Sequence, residues 1–261
     1  MIYYQEMLRR LKRYQFLFEE LVKRDFKKKY KGTFLGMGWS LLSPLLMLFV
    51  MKTVFTQFFG RTVEHYTTYL FAGLLVFGYF SESSKGGMTS LVGNAGIFTK
   101  VNVPKYLFLF AKNAQALLNF VLTLVVFFLF CALDGITPSW KFLSLLYPIV
   151  TLFLFNIGLG LILSALYVFF RDMQYLWSVA IRLVMYGSAI FYTTDKFSPE
   201  MKIVFACNPV YNHIAYFRSV VLHGTVPGWE LHALLAGAAL LTLIVGGWFY
   251  KHYNTEFLYH V

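Results

Sequence analysis

Chemically active side chains are scarce in this sequence. Cysteine occurs only at Cys131 and Cys207. Neither sits in a Cys-x-x-Cys or Cys/His spacing, so a metal site has no support and two inert buried thiols are expected. No G-x-x-x-x-G-K-[ST] loop is present, so the chain is not expected to hydrolyse ATP itself. His-Glu-x-x-His and Gly-x-Ser-x-Gly are also missing, and the 6 histidines are scattered. With no catalytic constellation, the chain is not expected to be an enzyme by itself. Charge is short as well, at 13% of residues against about 25% in an ordinary soluble domain. Carboxylates deep in apolar runs are lacking, since Glu82 and Asp172 fall at run ends. A proton-driven carrier would need them inside.

Apolar residues fill the space, at 58% of the chain. A core of this size still requires a polar surface, so lipid must cover part of the molecule. The apolar runs predict an all-α polytopic membrane protein with six spans, at about 34–59, 66–84, 106–133, 142–170, 176–192 and 231–250. Residues 1–32 are expected to form an amphipathic helix at the membrane interface, ahead of a permease-sized membrane domain over 33–261. In it Phe18, Val22, Phe26 and Tyr30 form an apolar stripe opposite Lys23, Arg24, Lys27 and Lys31.

The net charge of +11 would suggest nucleic acid in a soluble protein, but 10 of the 23 Lys and Arg lie in the first 31 residues. Beside a span, that cluster marks the cytoplasmic face and touches anionic lipid headgroups, with no nucleic-acid partner. Lys100, Lys105, Arg171 and Lys251 fall on the same side, while the opposite short loops hold Arg61 and Lys141. Both termini are therefore expected in the cytoplasm.

Between the last two spans, residues 194–230 hold two apolar pieces too short to cross a bilayer. Ser198-Pro199 and Asn208-Pro209 each read as an N-cap followed by a first-turn proline. Two short helices follow, either as a re-entrant pair dipping into the membrane or as a surface loop. In the fifth span Tyr175, Ser178, Arg182, Tyr186 and Thr193 recur on one face. Ser40 and Ser43 form a milder stripe in the first span. Such faces should meet protein or water, and an intramembrane Arg182 is a candidate for the translocation pathway or for a structural, snorkelling role.

The order of parts resembles a known family over essentially its whole length. A basic segment ending in LVKRDFKKKYKGTFLGMGWSLLSPLL enters the first span. GNAGIFTKVNVPKYLF joins the second and third spans, ALYVFFRD ends the fourth, and NPVYNHIAYFRSVVLHG precedes the last. The chain resembles the type-2 export permeases of ABC transporters, in the polysaccharide branch that exports O-antigen, teichoic acid or rhamnan. The resemblance implies a homodimer in the bacterial inner membrane, paired with two copies of a separate ATPase subunit that binds ATP and Mg. It implies a lipid-linked cell-envelope polysaccharide as cargo, and no cofactor on this chain. It places a coupling helix at about 94–103, with Ile97, Phe98, Lys100 and Val101 as its candidate contacts. It also makes 198–222 an outer gate, with Asn208, Pro209, Tyr211 and Arg218 as candidate residues. Independently of the resemblance, Ile97, Phe98 and Val101 read as knobs beside Lys100, and Pro104 keeps Val103 extended. Two alternatives remain: a type-2 permease for a small drug or antibiotic, and a membrane-embedded enzyme of glycan or lipid metabolism.

Overall fold

The structure, a computed structural model, describes residues 2–59, 63–195 and 197–260; side chains at 2–13, 29, 30, 37, 58, 59 and 259 are outside that set. The side chain of Tyr30 and the loop residue Arg61 therefore lie outside the described residues. All regular elements among the described residues are helical: α1 (Ile2–Tyr30), α2 (Trp39–Phe59), α3 (Tyr66–Thr89), α4 (Ala95–Phe98), α5 (Tyr106–Leu133), α6 (Leu146–Phe169), α7 (Met173–Tyr186), α8 (Pro199–Ala206), α9 (Pro209–Leu222), α10 (Trp229–Tyr253) and α11 (Phe257–His260). Short 3₁₀ turns precede α2, α4 and α6.

Among the described residues, four helical stretches are long and apolar enough to cross a membrane: Trp39–Gln57, Tyr106–Leu133, Trp140–Phe169 and Trp229–Tyr253. The chain is a polytopic membrane protein. The expected second span, α3, is helical but carries Ser81, Glu82, Ser83, Ser84 and Lys85 in its second half. Its position explains that polarity. α3 packs on α2, α5, α6, α7 and α9, and 16 of its 24 residues are buried. A helix surrounded by protein can satisfy polar groups that lipid cannot. The expected fifth span is shorter than read from sequence. α7 has 14 residues, about 21 Å at 1.5 Å per residue, against a hydrocarbon core of about 30 Å.

α7 stops at Tyr186 for identifiable reasons. The Ser188 hydroxyl donates back to the Val184 carbonyl at 2.6 Å, and the Asn208 amide captures the Gly187 carbonyl at 2.9 Å. Ala189 then takes a left-handed backbone, φ 48°, which turns the chain away. Thr193 consequently lies beyond the helix and not on its polar face, contrary to the sequence reading. Both proline-led helices form as their caps predict: the Ser198 hydroxyl accepts from Met201 N at 3.4 Å, and the Asn208 side-chain Oδ1 from Val210 N at 3.0 Å.

Without a hydrophobic drive between helices in lipid, small residues must let backbones approach. Gly158 of α6 and Gly246 of α10 do so. A Cβ on Gly158 would lie 2.6 Å from the Thr242 carbonyl oxygen, and one on Gly246 would meet the Gly158 carbonyl. Gly87 and Gly160 make a similar contact between α3 and α6, with a Cβ on Gly87 reaching 3.1 Å from the Gly160 Cα. Cross-links then define two ends. At one, Tyr66 OH donates to the Phe191 carbonyl at 2.8 Å, Tyr147 OH to the His232 carbonyl at 2.7 Å, and Thr68 to Asp134. At the other, Arg24 reaches Asn94 at 2.7 Å and Arg171 reaches the His260 carbonyl at 3.3 Å. α1 and α11 thus share an end.

Candidate functional site

The first surface lies at the end shared by α1 and α11. α1 buries Leu21 and Asp25, one turn apart, with Phe18 and Val22 half-buried beside them and Phe26 half-buried a turn on. Its apolar stripe thus packs partly on protein, chiefly on α5 and the 91–98 segment. Asp25 is the electrostatic centre. Its carboxylate receives Arg24 at 2.7 Å and Lys112 of α5 at 3.1 Å, while the same guanidinium donates to Asn94 at 2.7 Å. Asn94 also donates to the Ser90 carbonyl at 2.8 Å. One carboxylate therefore ties α1, α5 and the start of the 94–103 segment together.

Within that segment the residues separate into anchor and tip. Phe98, read from sequence as an outward knob, is buried. It packs on Phe108 with centroids 6.0 Å apart, in a cluster that includes Leu21, Leu91 and Phe257. A four-residue helix followed by an extended chain has one inward face, and the largest apolar side chain takes it. Ile97 is half-buried, while Lys100 and Val101 are exposed and form the tip. Lys105 braces the anchor. Its ammonium sits 5.9 Å from the Phe98 ring and 5.7 Å from the Phe257 ring and donates to the Asn254 carbonyl. Burial lowers the Lys105 pKa from its ordinary value. No local pattern signals this clasp, because Lys105 and Asn254 are about 150 residues apart.

The α7 face is mostly open. Tyr175, Arg182 and Tyr186 are exposed, Ser178 is half-buried and bonded to the Gln174 carbonyl at 2.7 Å, and only Ile181 of α7 is buried. Ser40 and Ser43 lie elsewhere, in a groove of about 590 Å³ between α2, α3 and α5 that touches α7 only at Met185. The two serine and tyrosine–arginine stripes therefore do not meet within one chain. The groove holds a residue the sequence reading placed at a span end. Glu82 accepts from Asn119 at 2.6 Å and from Gln115 at 3.3 Å. Asn119 lies midway along α5, so the carboxylate sits at mid-level in the bundle. Its helix continues to Thr89, and the run of serines after it had masked that depth.

At the opposite end, α8 and α9 form a hairpin. α8 is exposed except for Phe205, while α9 is largely buried, with Ile214, Tyr216 and Phe217 wholly enclosed. Arg218 is buried and satisfied by backbone. Its guanidinium donates to the carbonyls of Tyr69 at 3.2 Å, Ala189 at 2.9 Å and Ile190 at 2.9 Å, and stacks 3.4 Å from the Tyr69 ring centre. Gly73 leaves the room it needs: a Cβ there would meet the guanidinium at 2.9 Å. Tyr211 bonds Thr194 at 3.0 Å, and Pro209 opens α9 after the Asn208 cap. Of the four gate candidates, Asn208 and Arg218 both hold the 187–191 turn that ends α7.

Among the described residues no group of His, Cys, Asp and Glu could hold a metal ion. The profile of the ABC-2 type transporter family matches residues 17–222. The O-antigen export system permease protein RfbA of Myxococcus xanthus is 28% identical over 255 residues, covering 96% of this chain and 97% of the relative. The protein of the same name from Klebsiella pneumoniae is 28% identical over 236 residues, covering 88% and 90%. The polysialic acid transport protein KpsM of Escherichia coli is 23% identical over 234 residues, covering 87% and 90%.

Proposed function

The chain belongs to the ABC-2 type transporter family, and from that premise we propose that it is the membrane subunit of an exporter that carries a lipid-linked cell-envelope polysaccharide across the bacterial inner membrane. The observation that carries this reading is the nearly end-to-end match to a permease named for O-antigen export. In this reading the chain works as a homodimer, with residues 1–32 as the interface helix and 33–261 as the membrane domain. α2, α3, α5, α6, α7 with the turn after it, and α10 are the six passes, and both termini face the cytoplasm. The basic residues concentrated in α1 support that side.

ATP and Mg are bound by a separate ATPase subunit, two copies per dimer. Lys100 and Val101 form the exposed tip that meets it, and buried Phe98 converts a push on the tip into movement of α5 and α1. The Asp25 ion pairs make that corner move as one piece. α8 and α9 form the re-entrant outer gate. The open α7 face, with Tyr175, Ser178, Arg182 and Tyr186, lines the conduit once two chains assemble. Tyrosine rings offer sugars flat contact, and Arg182 attracts a phosphate of the carrier.

Deleting the gene tests the reading. The expected outcome is intact polymer that accumulates inside the cell and disappears from the surface, restored by a plasmid copy. Normal surface polymer with new sensitivity to a drug would replace the polysaccharide by a small hydrophobic cargo.

A further inference from the structure

The groove between α2, α3 and α5 combines features that a simple packing defect would not. Its volume of about 590 Å³ falls within the roughly 300–1,000 Å³ of small-molecule pockets. Its walls are largely aromatic and aliphatic, including Trp39, Phe77, Tyr79 and Phe120, yet Glu82, Asn119 and Thr123 face the same space, with Ser40 and Ser43 on the α2 lip. Trp39 and Ser43 are exposed and so reachable. Placing a carboxylate at mid-level in a membrane bundle is costly, and such a group is a functional candidate by default.

Ligand classes can be separated by this chemistry. A divalent cation wants several oxygen ligands of high charge, whereas the groove offers one carboxylate. An acyl chain gains nothing from a carboxylate or amides. A sugar ring suits both wall types: its C–H face lies on an aromatic ring, and its hydroxyls donate to a carboxylate, which has about four acceptor positions. Asn119 and Gln115 donate to one Glu82 oxygen, which fixes the plane of the group.

We propose that this groove is a sugar subsite in which Glu82, oriented by Asn119 and Gln115, accepts hydrogen bonds from the hydroxyls of one neutral pyranose unit that lies against Trp39. The inference rests on the polysaccharide reading and makes it specific. A single carboxylate in a half-open groove holds one sugar weakly, as passage of a long polymer requires.

The test uses the purified full chain in lipid nanodiscs. Saturation-transfer NMR is recorded with maltose, lactose and N,N′-diacetylchitobiose, and with glucosamine as a cationic control. At least one neutral disaccharide should receive saturation. Ser43→Trp, which adds bulk at the exposed lip, should abolish it, and Glu82→Gln should weaken it at least about tenfold, the size of one lost hydrogen bond to a charged group. Gly237→Ala, with nothing within 4 Å of its Cβ, should leave it unchanged. Silence from all three disaccharides, an undiminished signal in Ser43→Trp or in Glu82→Gln, or binding of glucosamine alone would overturn the subsite. Polymer export is measured in cells in parallel. Wild-type export without sugar binding removes the subsite and leaves the export reading; sugar binding without export removes the export reading and leaves the subsite.

Discussion

Replacing Gly158 by alanine is a sharp perturbation of the bundle, because the obstacle is backbone and cannot rotate away. The new Cβ would sit 2.5 Å from Leu243 N and 2.6 Å from the Thr242 carbonyl oxygen. Ordinary contacts of this kind are about 3.5–4.0 Å, so α6 and α10 must part by about 1 Å. Those two helices form the most extensive pairing among the described residues, and Gly246 docks on the same carbonyl of Gly158. Overpacking typically costs about 1–3 kcal/mol. Alanine returns up to about 1 kcal/mol of helix propensity, so at the upper end of that range the net loss is about 2 kcal/mol. Gly237→Ala on α10 carries the same propensity gain with open space around it, so it isolates the packing effect. Thermal unfolding of the two purified variants in nanodiscs should place Gly158→Ala clearly below wild type and Gly237→Ala at or above it. Equal melting of both variants would refute close glycine contact as the bond between α6 and α10.

Phe98→Ala should lower protein level, since emptying a buried aromatic site costs about 3–5 kcal/mol, whereas Lys100→Glu should leave level unchanged and reduce stimulation of the ATPase; immunoblotting and ATPase assays check the split, and equal effects on level would contradict the anchor-and-tip arrangement. Arg218→Met should destabilise the chain by a few kcal/mol, because three buried carbonyls lose their donor at about 1–3 kcal/mol for each unsatisfied group; a wild-type melting curve would show that the 187–191 turn does not need it. Single cysteines at positions 100 and 254 should label only from the cytoplasm, and those at 137 and 225 only from outside; outside labelling at position 100 would overturn the six-pass topology.

Much of the helix layout was legible because membrane helices announce themselves by unbroken apolarity. The apolar run at 106–133 marks the third span, and α5 runs Tyr106–Leu133. The two proline-led helices were legible for a different reason: Ser198 and Asn208 cap locally, within three residues of their partners. What escaped was set by distant partners. α7 ends early because Asn208, some 20 residues on, takes the Gly187 carbonyl. Glu82 looked terminal because serines follow it, and only Asn119 of α5 reveals its depth. Phe98 looked outward because a short loop has no periodicity from which to read its buried side; the pocket it fills comes from Leu21, Phe108 and Phe257. The role of Arg218 in holding the 187–191 turn is invisible locally, because its three backbone carbonyls come from two separate segments.

The claim that this chain is an export permease driven by a separate ATPase is tested most directly by reconstitution. The purified chain is placed in proteoliposomes with and without the purified ATPase subunit, and with a lipid-linked polysaccharide from its own cell on the outer leaflet. The account predicts no ATP turnover by the chain alone. With the ATPase facing outward, it predicts ATP-dependent transfer of polymer into the lumen, where it becomes protected from an added glycosidase. ATP hydrolysis by the chain alone, or protection of the polymer without the ATPase, would contradict it.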